Sequence, residues 1–169
     1  MSTEISELQR IFQSRLDTLS HLLDLGAKHL DLDAEMATAR LAEDMLPLGA
    51  QIAFACNQPR GFSQWCAGQP VENLPHDIGN LAQAREVIAD TKARVASITA
   101  GDAKLGEDKR VGLGPGRYCV LPARQYVSDY LLPNLYFHIT AAYAILRMRG
   151  VPVGKADYMA FLAPQVRSE

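Results

Sequence analysis

Residues 124–150 read RQYVSDYLLPNLYFHITAAYAILRMRG, and this stretch decides the architecture. Tyr130, Asn134, His138 and Ala142 recur every four residues and form one line along a helix. Leu131, Leu135, Ile145 and Leu146 flank that line. Phe137, Ala141, Ala144 and Met148 add a second apolar stripe, so the helix is apolar on most of its circumference and is expected to be buried. Pro133 cannot donate back to the carbonyl of Asp129, which predicts a kink one turn before His138. Gly150 ends the helix and Pro122 suits its first position.

Moving outward, Ile5, Leu8, Phe12, Leu16, Leu19, Leu22 and Leu23 set an amphipathic first helix over about Glu4 to Lys28. Ser2 or Thr3 is its cap. His21 and His29 read as solvated helix histidines. Asp33 is a good cap for a second helix, which either reaches Cys66 with a kink at Pro47 or divides near Leu41 to Glu43, with Asp44 capping the second piece. Gly68 to Pro75 is a loop with His76 exposed beside it. A third helix follows from about Asp77 to Ala100. Arg110–Leu113 and Arg117–Leu121 surround Gly114-Pro115-Gly116 and read as a β-hairpin between the third and fourth helices. Beyond Gly150, a short segment around Asp157 to Leu162 packs back. The fold class is therefore all-α, a four-helix bundle with a small hairpin insert, over residues 1–169 as one domain.

Composition narrows the function classes. Hydrophobic residues make up 48% and charged residues 21%, and 17 basic against 19 acidic side chains give a net charge of −2. No basic run points to nucleic acid or an anionic membrane surface. No apolar stretch has the length of a spanning helix, and the start MSTEISELQRIF is unlike a signal peptide, so a cytoplasmic location is expected. The three cysteines, Cys56, Cys66 and Cys119, form no CxxC pair and argue against a zinc knuckle or disulfide framework. Cys56 falls on an apolar helix face, as a buried thiol does.

Two polar lines make the candidate site. Arg40, Asp44 and Gln51 share a face if the second helix persists, and Tyr130, Asn134 and His138 share one on the fourth. Facing each other, they form either a satisfied structural network, with His138 bonded to Asp44 or Asn134, or a pocket for a small ligand or a metal. Asn is a poor transition-metal ligand beside His and Asp.

The blocks Arg40-Leu41-Ala42-Glu43-Asp44-Met45-Leu46-Pro47-Leu48, Pro133-Asn134-Leu135-Tyr136-Phe137-His138, Ala142-Tyr143-Ala144-Ile145-Leu146-Arg147 and Gly150-Val151 resemble an uncharacterised bacterial family. It is a domain-of-unknown-function branch of the DinB/YfiT-like four-helix bundles. The resemblance implies a divalent metal (zinc, nickel, manganese or iron) held by three histidines, one on the second helix and two, four residues apart, on the last. Some members of that superfamily are hydrolases or thiol-dependent transferases, and many are homodimers, which suits the second apolar stripe. On this chain the histidine pair falls on Asn134 and His138 and the second-helix position near Asp44, so one of the three is histidine. The expectation is a ligand-binding or interaction module with a degenerate metal pocket, and the alternative is a metal-dependent enzyme.

Overall fold

The computed structural model describes residues 3–167. Helix α1 spans Glu4–Ala27, and Thr3 caps it by accepting from Ser6 N in a capping box. Ser2, the other candidate cap, lies outside the described residues. A second cap comes from far along the chain: the Asp102 carboxylate accepts from Glu4 N at 3.1 Å and Ile5 N at 2.9 Å. An acid at a helix N-terminus satisfies orphan donors and the dipole together.

The second helix differs from its expected course. Helix α2 is only Leu32–Met36, residues 37–47 are non-helical, and α3 runs Leu48–Cys66. Pro47 sits in extended backbone at φ −74° and ψ 175° as the cap residue of α3. It disfavours helical Leu46 and lacks an N–H, so the helix begins after it rather than kinking through it. Asp44 caps nothing here. Asp33 caps a different helix, with Oδ1 accepting from Leu81 N at 2.8 Å. Pro59 is accommodated within a continuous α3.

Helix α4 spans Leu81–Ala96, capped by Asn80. It starts later than Asp77, although Ile78 is buried just before it. A 3₁₀ turn at Asp102–Gly106 leads into β1 (Asp108–Gly112) and β2 (Tyr118–Pro122), paired antiparallel with Arg110 opposite Val120. Gly114 and Gly116 have φ of +104° and +70°, which side-chain-bearing residues rarely adopt.

Pro122 ends β2 and precedes α5 (Ala123–Gln125), so it is a cap rather than the first helical residue. The helix then passes through a π-turn at Tyr126–Leu131 into α6 (Leu132–Met148). This turn lies next to Pro133, and its i→i−5 bonding shifts the ladder just where the proline withholds its N–H.

Around the bundle α1 packs on α4, α4 on α3, α3 on α6 and α6 on α1. The most enclosed helix is α3, where residues from Leu48 to Trp65 are buried almost without interruption. By contrast α6 is not covered all round: Phe137 is 58% and Met148 51% exposed, while Ala141 is buried. Helix α7 (Lys155–Tyr158) and the turn Ala160–Gln165 lie against α1. There His21 Nε2 meets Asp157 Oδ1 at 3.1 Å and the Arg15 guanidinium sits 3.5 Å over the Phe161 ring. His21 is thus a paired histidine rather than a merely solvated one. The molecule is a four-helix bundle with a hairpin inserted between its third and fourth long helices.

Candidate functional site

The first turn of α3 places Gln51 inside the bundle, 3% exposed. Its Nε2 donates to the Leu46 carbonyl at 2.9 Å, so its Oε1 is the end that lies 2.9 Å from His138 Nδ1. That oxygen can only accept, which puts the proton on Nδ1 and leaves Nε2 with a lone pair. Phe54 and Phe137 pack their rings 5.1 Å and 5.2 Å from the imidazole. Burial pushes His138 from its ordinary 6.5 down to about 4, so it is neutral at physiological pH.

One helical turn earlier, Asn134 Nδ2 donates to the Tyr130 carbonyl at 2.6 Å, leaving its Oδ1 free of that bond. Tyr130 stacks on Tyr126 at 5.9 Å, and burial raises both phenols above their ordinary range. Across from them, Phe54, Asn57, Gln58 and Gly61 of α3 follow the i, i+3, i+4, i+7 rule and share a face. Asn57 Oδ1 accepts from Leu74 N at 2.8 Å and so fastens the loop after α3. Its Nδ2 is buried and has no hydrogen-bond partner.

These side chains enclose a groove with two ends. At one end a cavity of ≈ 260 Å³ is walled by Phe54, Asn57 and Gln58 from α3, Asn73 from the loop, and Tyr130, Asn134 and His138 from the fourth helix. Asn57, Gln58, Asn73 and Tyr130 also line a second cavity of ≈ 350 Å³, which runs under the hairpin to Lys109, Arg110 and Tyr126.

Of the residues expected from the sequence, the fold gathers Gln51, Tyr130, Asn134 and His138. Arg40 and Asp44 are exposed in the 37–47 loop and line neither cavity. Arg40 donates to the carbonyls of Thr38 and Ala37 at 3.3 Å and 3.5 Å. His138 bonds to Gln51, not to Asp44 or Asn134. Sequence reasoning missed Asn57, Lys109 and Tyr126. The signal for Asn57 was a second amide, six residues after Gln51, in the otherwise apolar run AQIAFACN.

The donor set does not fit a transition metal. Among the described residues no group of three His, Cys, Asp or Glu side chains converges on a point, and the groove supplies one imidazole beside amides and phenols. No thiol lines either cavity, and burial raises Cys56 to about 12 and Cys66 to about 11. No helix among the described residues is long and apolar enough to cross a membrane.

Known proteins bear out the class that this geometry defines, a DinB-like helical bundle. A solved structure of a DinB family member protein from Shewanella denitrificans is similar, with 29% identity over 89% of this chain and 88% of that one and a TM-score of 0.73. Residues 7–159 match the family described as Domain of unknown function (DUF1993), and the chain belongs to that family. No curated protein matches it.

Proposed function

We propose that this protein is a small-molecule-binding module whose ligand lies in the groove between α3 and the fourth helix. The observation that carries the reading is Asn57. A buried amide nitrogen without a partner costs about 1–3 kcal/mol, and a bound acceptor removes that cost. His138 Nε2 offers the complementary acceptor at the same cavity, so a ligand is held by directed polar contacts between apolar ring faces. The site binds and orients without carrying a charge at its His138 end.

The test is a protein-observed NMR screen of small polar fragments. Hits are expected to move the side-chain amides of Asn57 and Gln51 and the His138 ring together. A screen in which no fragment moves them removes the reading. Metal-dependent hydrolase or thiol-dependent transferase chemistry is the competing class, and the lone pair on His138 Nε2 is what favours it. Roughly stoichiometric zinc, nickel, manganese or iron in protein purified without a His-tag would support that class instead.

A further inference from the structure

Resting on the ligand-binding reading, we infer that the hairpin end of the groove binds an oxyanion, a carboxylate or phosphate, carried by a small molecule whose other end donates a hydrogen bond to His138 Nε2. The first observation is the placement of Lys109. Burial alternates along β1, exposed at Asp108, Arg110 and Gly112 and covered at Lys109 and Val111, so Lys109 occupies an inward position of a strand that otherwise buries valine. Its ammonium lies 5.8 Å from the Trp65 ring and 5.9 Å from the Tyr126 ring. Among the described residues no carboxylate pairs with it, whereas the neighbouring Lys104 holds Glu107 at 2.7 Å. Burial first, and the Lys104 charge second, keep Lys109 below the usual lysine range. A half-buried cation in that situation gains from a counter-ion.

The second observation is independent of that charge. Asn57, whose Nδ2 is buried and unpartnered, lines the same cavity, and Tyr126 and Tyr130 line it with phenol groups that can donate. The lining of this end holds Lys109 and no carboxylate, while the Arg110 guanidinium is stacked 3.9 Å over the Tyr118 ring. Donors and one cation at one end and a lone-pair nitrogen at the other define a polarity, and a molecule with an anionic head and a hydroxyl or amide N–H matches it.

Three probes test this in the intact ¹⁵N-labelled chain at fixed ionic strength: inorganic phosphate, acetate and its neutral isostere acetamide. Phosphate or acetate is expected to shift the Asn57 side-chain amide and the Lys109 signals saturably and to raise the Lys109 pKa. Acetamide is expected to bind at the His138 end and to leave Lys109 unmoved. Lys109→Met should weaken the oxyanion about tenfold, the loss of one charge-assisted contact, and Lys109→Arg should restore it, with melting curves confirming that both variants fold. Equal oxyanion affinity in Lys109→Met, or acetamide matching acetate at Asn57, overturns the oxyanion site. If acetamide still moves His138 in that case, the ligand-binding reading survives. If none of the probes moves Asn57 or His138, both fall. The stronger of phosphate and acetate tells a phosphorylated ligand from a carboxylate.

Discussion

Gln51 uses both ends of its amide inside the protein, and the state of His138 follows from that. Because the nitrogen is engaged by Leu46, the oxygen fixes the imidazole tautomer. Removing either side chain leaves the other's polar atoms buried and unmatched. Gln51→Leu and His138→Phe are each expected to cost about 1 kcal/mol or more, and the double change much less than their sum, in a cycle measured by denaturant unfolding. Asp44→Ala, by comparison, should stay within about 0.5 kcal/mol, as exposed loop positions do. The depressed His138 pKa has a direction as well. Between 6.5 and about 4 the unfolded chain binds the proton that the folded site resists, so stability rises with pH across that window and is lost as pH falls. His138→Gln should reduce the stability lost between about pH 7 and about pH 4.5 by roughly 1–2 kcal/mol, discounted for the partial exposure of the ring. An unchanged slope would mean that the imidazole titrates freely. At this scale the sequence exposed half of the site. Four-residue spacing identified Tyr130, Asn134 and His138, but the partner depended on where the next helix begins, and periodicity does not report that.

The long helices were legible because their apolar spacing is strong: α1 and the fourth helix lie close to where their leucines and isoleucines predict. The misses come from interactions that local propensity does not report. Asp33 reads as the cap of the helix beside it and instead caps α4. The segment Arg40–Met45 has helix-forming composition, yet it is held in a loop closed by the bond from Leu48 N to the Ala39 carbonyl at 2.9 Å. Backbone on either side of the bundle packs against α3 at Gly49, where an added Cβ would stand 2.1 Å from the Ile78 carbonyl oxygen and 3.1 Å from that of Met36, the last residue of α2. Backbone does not yield as a side-chain tip does. Gly49→Ala should therefore destabilise by about 1–3 kcal/mol, and a thermal melt equal to wild type would show that the backbone at Met36 and Ile78 moves freely. Leu135→Ala empties a site that is 0% exposed and is expected to cost about 2–5 kcal/mol by the same assay.

For the molecule as a whole, we propose that the exposed side of α6 joins two copies of the chain. Phe137 at 58% and Met148 at 51% exposure are large apolar side chains that the bundle leaves in water. Sedimentation at micromolar concentration should give a dimer that Phe137→Lys disperses, and a monomeric wild type would retire the idea. The same helix sets the geometry of the groove through its π-turn. In a plain α-helix each step of four residues overshoots a full turn by about 40°, so Tyr126, Tyr130, Asn134 and His138 would spiral away from one another. The wider turn at Tyr126–Leu131 runs against that drift and offsets part of it between Tyr126 and His138. The groove thus depends on how the backbone is wound as much as on residue type. Rewinding residues 126–131 as ordinary α-helix, with no residue lost, would rotate the hairpin wall by about 100° against the His138 wall, dismantling the site while every side chain that lines it is still present.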